Sequence, residues 1–189
     1  MYPTSDRSAR SDTRGRLRSV VVALGTVAVL LFAGVTARYL IWPDLEPLPA
    51  RVDAIIELGG PGDRDAAALS LARSKIAPFL VQSTTESEAG TNRCLPPVPD
   101  VTVLCFHADP NTTRGEAQYI GLIAQRRHWN SVVLVTSTDQ AERAILRVSR
   151  CFPGQIYVKT TPPPLLDWFY LVPYQWAAFA KALFVEPDC

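Results

Sequence analysis

The sequence predicts an α/β protein: a parallel sheet covered by helices on both faces, carried behind one membrane-spanning helix. Three observations predict it. From Val52 onward, short apolar runs alternate with longer helical patterns, the arrangement of βαβ units. The run Val132 to Thr136 is apolar almost throughout and rich in β-branched residues, as in a strand buried on both sides. Ahead of both, Val20 to Ala37 is an uncharged stretch of 18 residues dominated by Val, Ala and Leu.

The elements follow in order. Residues 1–19 are rich in Ser, Arg and Asp, hold little to bury, and are expected to form a disordered cytoplasmic tail. Residues 20–41 form the expected transmembrane anchor, because a helix rising about 1.5 Å per residue lets the run and its flanks reach roughly 30 Å of hydrocarbon. Arg7, Arg10, Arg14, Arg16 and Arg18 precede it against Asp6 and Asp12, which places the N-terminus on the cytoplasmic side and the rest of the chain outside. A cleaved signal peptide is the rival, with Val35-Thr36-Ala37 as a loose cleavage site. The apolar run exceeds the roughly 7–15 residues of a signal core, and Tyr39 and Trp42 suit an interfacial aromatic belt, so the anchor is preferred. Either reading exports the domain.

Residues 42–51, with three prolines in WPDLEPLPA, read as an extended linker lifting the domain off the membrane. The α/β domain then occupies residues 52–189. Val52–Leu58, Phe79–Gln82, Val101–Phe106, Val132–Thr136 and Gln155–Val158 are strand candidates. Ala66–Ser74, Thr113–Arg127 and Gln140–Arg150 are helix candidates. Leu165–Phe184 is a final aromatic helical region interrupted by Pro173, expected to close over the sheet or to dock on lipid or a partner.

Composition narrows the partners. The formal charge is +1 over 189 residues, and the N-terminal arginines account for its sign. With no basic patch in the domain, nucleic acid is not an expected partner. Of the four cysteines, Cys94, Cys105, Cys151 and Cys189, three full pairings are conceivable. Cys94 with Cys105, flanking a proline-rich turn, is the preferred disulfide in an oxidising compartment. No CxxC spacing or His pattern suggests zinc.

In parallel sheets the ligand lies outside the carboxyl ends of the strands, so the residues following each strand are the candidates. Gly59-Gly60-Pro61-Gly62-Asp63-Arg64 follows the first strand. Its glycines allow close backbone approach to an anion, and Arg64, a cation opposing the helix dipole, implies an anionic partner or a salt bridge with a neighbouring acid. Thr112 or Thr113 is a good N-cap, and Thr113 with Glu116 has capping-box spacing; Glu116 is also a candidate general base. Thr136-Ser137-Thr138-Asp139-Gln140 leads to Arg143, which either reaches the same mouth or pairs with Glu142 or Asp139. Glu57 is a carboxylate on an apolar strand, facing the pocket or lying at a solvated edge.

Taken together, VDAIIELGG with its following arginine, TTRGEA, and WNSVVLVTSTDQAERA resemble the YdcF-like family of envelope proteins, which includes SanA and ElyC. The resemblance spans about Val52 to Val158. It implies a Rossmann-like fold with pocket residues Gly59, Gly60, Arg64, Thr113, Glu116, Thr136, Ser137 and Arg143. The family usually has His where Gln140 stands, and a glycine pair where Gln82-Ser83-Thr84 stands. Any acid–base role of that His is thus lost or moved.

The functional expectation is binding or processing of an anionic envelope precursor, such as a polyprenyl phosphate, beside a membrane whose lipid holds the anchor. Gly59, Gly60, Arg64, Thr113, Thr136, Ser137, Gln140 and Arg143 would contact the ligand and Glu116 would act as the base. Asp63, Asp139 and Glu57 are the donors that would recruit a divalent cation, the one cofactor considered. S-adenosylmethionine, bound in one case within the family, is disfavoured because an exported domain would not meet it. The alternative is a non-catalytic envelope-integrity or regulatory factor, favoured by Gln140 and by the aromatic C-terminal stretch.

Overall fold

The computed structural model describes residues 6–60, 63–84 and 94–189, with side chains from residue 16 onward. Two compact units result, one ending at Arg38 and the other spanning Tyr39–Cys189.

The first unit is a single helix, α1 (Asp6–Thr36). One segment, Arg16–Ile41, is long and apolar enough to cross a membrane. The helix begins well before the apolar run, across residues expected to be disordered. Arg and Ala have good helix propensity, and elongating an existing helix costs far less than starting one. Met1–Ser5 of that expected tail lie outside the described residues.

The second unit is built on a five-stranded, all-parallel sheet. Its strands are β1 (Ala54–Glu57), β2 (Phe79–Thr84), β3 (Thr102–His107), β4 (Ser131–Ser137) and β5 (Gln155–Thr161). Their spatial order is β3-β2-β1-β4-β5, the Rossmann-type order in which the chain winds one way from β1 and the other way from β4. The helices are α2 (Arg64–Arg73), α3 (Thr113–Arg127), α4 (Ala141–Val148) and α5 (Trp168–Ala180).

Alternation along the central strands feeds two cores. Ile56, Val132 and Leu134 turn to one face and pack with Ile120, Trp129 and Phe152. Ile55, Val133 and Val135 turn to the other and pack with Ala68 and Ala72 of α2. Both faces being covered explains why β1 and β4 are apolar without a polar phase. At the amino end of the sheet Asp53 pins β4 to β1, its Oδ2 accepting from the backbone N–H groups of Asn130 (2.7 Å) and Ser131 (2.9 Å).

Two features differ from the sequence reading. The proline-rich segment 42–51 is not a free spacer: Leu45 packs on one core and Leu48 on the other. Pro173 does not interrupt the last helix but lies inside α5. The hydrogen bond it removes is the one to the carbonyl of Phe169, near the helix start and on its exposed face.

The cysteines form two disulfides, Cys94–Cys105 and Cys151–Cys189, with Cα separations of 5.8 and 5.0 Å. The second draws the segment after α5 onto the domain. The side chains of Arg114 and Gln118 hold it there by donating to the carbonyl of Cys189.

Candidate functional site

A pocket of about 400 Å³ opens at the carboxyl ends of β1 and β4. These two strands are adjacent and mark the point where the winding reverses, so two loops leave the sheet in opposite directions and a crevice opens between them. The volume lies within the range of small-molecule sites.

Eight expected site residues line it: Gly59, Gly60, Arg64, Thr113, Glu116, Ser137, Gln140 and Arg143. Thr136 does not. Its position in β4 turns it into the core, where it is fully buried and its Oγ1 has no partner among the described residues. Pro61 and Gly62 lie outside the described residues.

Of the two expected N-cap candidates for α3 the first is used, and Thr113 with Glu116 forms no capping box. The N-cap is Thr112, whose side chain accepts from the Gly115 N–H at 3.4 Å. Thr113 is thereby moved into the first helical turn and faces the pocket. Glu116 reaches away from its own helix to accept the Gly59 N–H at 2.6 Å. Gly115 permits this placement of α3, because a Cβ there would collide with the carbonyl of Pro110. Burial raises the Glu116 pKa, against the hydrogen bonds from Ser83 and Gly59 and the charges of Arg64 and Arg143, which lower it. A carboxyl so placed holds its proton more tightly than a solvated one, as a general base working near neutrality requires.

Arg64 is only 2% exposed. Its Nη1 donates to the carbonyls of Leu58 (2.9 Å) and Gly59 (2.6 Å), and its Nη2 to Ser137 Oγ (3.0 Å) and Gln140 Oε1 (3.2 Å). Four of the five guanidinium donors are therefore committed to the protein. The anionic partner or salt bridge expected for Arg64 is replaced by carbonyl and side-chain oxygens. The residue braces the glycine turn rather than offering a fork to a ligand. Gly60, at φ 135°, lies flat over it, and a Cβ there would stand 2.9 Å from both terminal nitrogens.

From Arg64 a polar chain crosses the pocket floor, and its amide orientations are dictated. Arg64 can only donate, so Gln140 turns Oε1 to it and gives Nε2 to Thr113 Oγ1 at 3.1 Å. Arg143 Nη1 also donates to Thr113 Oγ1, at 2.8 Å, and its Nε donates to Gln175 Oε1 at 2.8 Å. Gln175 Nε2 then donates to Asp139 Oδ2 at 2.6 Å. Arg64 and Arg143 both have pKa values lowered by burial, yet each keeps carboxylates near enough to oppose the fall. Gln140 serves as donor on one side and acceptor on the other.

Several lining residues escaped sequence reasoning. Gln175 is 2% exposed and joins Arg143 to Asp139 from α5. A single amide inside WFYLVPYQWAAFA was the available signal. Arg147, in the last turn of α4, is held by Glu186, with Nη2 to Oε2 at 2.9 Å, and Lys181 contacts the other carboxylate oxygen at 3.0 Å. Tyr170 and Tyr174 of α5 complete the wall. In all, five cationic side chains and three carboxylates line the cavity.

The proposed cation donors do not converge. Asp139 is in the pocket. Glu57 is buried and does not line the pocket, and Asp63 is an exposed N-cap that makes no capping bond. Glu57 neither faces the pocket nor meets solvent. Burial and the neighbouring Asp65 push its pKa up to about 9. Among the described residues no three His, Cys, Asp or Glu side chains form a metal-binding group.

Compared with protein-family models, with curated proteins and with solved structures, the chain gives no match.

Proposed function

We propose that the pocket binds the anionic, phosphorylated part of a cell-envelope precursor, and that the chain is a membrane-anchored, extracytoplasmic protein of the YdcF-like kind. Thr113 carries the reading. Its oxygen accepts from both Gln140 and Arg143, which uses both lone pairs and leaves its hydrogen to be donated. A ligand at Thr113 must therefore present an acceptor. Arg143 stands beside it with Nη1 and Nε engaged and Nη2 remaining for the same acceptor, a geometry suited to a phosphoryl or carboxylate oxygen. The backbone turn at Gly59 and Gly60 and the first turn of α3 border the same space.

Export is supported by two disulfides in one domain, which persist in oxidising compartments, and by the arginine-led apolar helix. The lipid of that membrane is then the partner of α1, and the domain works beside it.

The second reading makes the protein an enzyme, and Glu116 favours it. A buried carboxyl with raised proton affinity in an anion pocket can take a proton from an attacking water during hydrolysis or transfer at phosphorus. The alternative, a binding factor that regulates wall assembly, needs only the Thr113–Arg143 pair.

The test is titration calorimetry on the full chain in non-ionic detergent, with pyrophosphate and with a short-chain polyprenyl phosphate. Losing one charge-assisted hydrogen bond costs about 1.5–3 kcal/mol, so Arg143→Ala should weaken binding roughly 10- to 150-fold. Equal affinity in wild type and variant refutes anion binding at this site. Phosphate release that disappears in Glu116→Gln identifies an enzyme, and saturable binding without release identifies a binding factor.

A further inference from the structure

We infer that the outer face of α5 lies on the surface of the bilayer that α1 enters, so that the pocket opens beside lipid. The inference rests on reading α1 as a membrane anchor.

Helix α5 has two faces. Leu171, Gln175 and Phe179 turn into the domain, and Tyr170, Tyr174, Ala178 and Lys181 reach the pocket. Around the rest of the segment large apolar side chains stand uncovered. Phe169 is 87% exposed, Leu165 85%, Phe184 83% and Leu166 81%, with Val185 and Tyr170 also exposed. Soluble monomers seldom leave so much contiguous apolar surface to water. The mixture of Phe, Leu and Tyr on a helix that closes a polar pocket suits the headgroup–acyl boundary, where one side of each side chain is wet.

The occupant is fixed by how the chain arrives. Residues Tyr39–Ile41 end the segment able to cross a membrane, and they already belong to the domain. Leu40 is completely buried, and the Tyr39 ring meets Phe179 of α5 edge-on at 6.4 Å. The following prolines give no slack, because Leu45 and Leu48 are packed on the two cores. A bilayer crossed by the segment ending at Ile41 therefore lies next to α5. Trp42, 71% exposed just beyond it, adds an interfacial side chain. A lipid-linked anion would reach Arg143 and Thr113 from the membrane side, past Tyr170 and Tyr174, without leaving the bilayer.

The experiment is photo-crosslinking of the full chain in nanodiscs of phosphatidylethanolamine and phosphatidylglycerol. A diazirine-bearing leucine analogue replaces Phe169, Phe184, Leu30 of α1 or, as the control, exposed Leu122 of α3. Lipid adducts at Phe169 and Phe184 at least tenfold above Leu122 are expected. Adducts at Leu30 but not at Phe169 or Phe184 overturn the inference and leave the anchor standing. Adducts between two copies of the chain at Phe169 overturn it in favour of a dimer face. Absence of lipid adducts at Leu30 overturns the anchor reading and this inference with it.

Discussion

Replacing Glu57 by Gln isolates one buried proton. Glu57 ends β1, is 4% exposed, and holds its carboxyl proton up to about pH 9 because burial and the neighbouring Asp65 disfavour its charge. In the unfolded chain it titrates near the ordinary carboxylate value of 4.5. Between these values the folded protein binds one more proton than the unfolded one. Stability from this group is therefore fully present below about pH 4.5 and falls as pH rises, until the folded carboxyl itself ionises near 9. The slope for one proton is about 1.4 kcal/mol per pH unit. From pH 6 to 8 the wild type should lose up to about 2.7 kcal/mol from Glu57 alone, roughly 5–10 °C in Tm for a domain of this size. Gln preserves the shape and can donate to Asp65 as the protonated acid does, so the variant should lack that slope. Thermal unfolding followed by near-ultraviolet circular dichroism in detergent, at pH 6, 7 and 8, measures the difference. If both proteins decline in parallel, Glu57 is not the proton holder and its assigned environment is wrong.

The remaining predictions concern the pocket. Gln175→Leu leaves Asp139 and Arg143 without their shared partner, and should cost about 2–5 kcal/mol in chemical denaturation. A change below about 0.5 kcal/mol would show that the polar chain is not needed. Gly60→Ala combines a left-handed backbone with a clash against Arg64, and should destabilise by about 2 kcal/mol or more and weaken pyrophosphate binding in calorimetry. Glu186→Gln removes the carboxylate that occupies Arg147 and Lys181, so affinity for pyrophosphate should rise severalfold. Unchanged or lower affinity would mean that those cations take no part in binding.

Much of this arrangement was legible because strands and helices of a parallel sheet announce themselves by continuous apolar runs and helical spacing. Thr113–Arg127 is read from an inner face of Ala117, Ile120, Leu122, Ile123 and Ala124; α3 buries four of them, while Leu122 turns outward and is 45% exposed. The strand ends, once identified, point to the pocket. What stayed hidden depends on partners distant in sequence. Glu116 has a local explanation in Thr113 three residues away, but its partner is Gly59, 57 residues back. Arg64 looks like an anion receptor until the carbonyls of Leu58 and Gly59 are seen to occupy it. Thr136 and Ser137 are adjacent in a strand, and alternation sends only the second into the pocket. The Cys151–Cys189 bridge joins residues separated by 38 positions, a pairing their spacing does not suggest and that follows only once Cys94 is joined to Cys105.

The way Arg64 is housed bears on how the site draws its ligand. A guanidinium with four of its five hydrogens already facing oxygen atoms of its own protein gives an incoming anion little to grasp, but its charge still acts at a distance. Shielded from water, that charge is weakly screened by dissolved ions. Attraction toward the crevice should therefore have a part that survives added salt, while the exposed Lys181 supplies a part that does not.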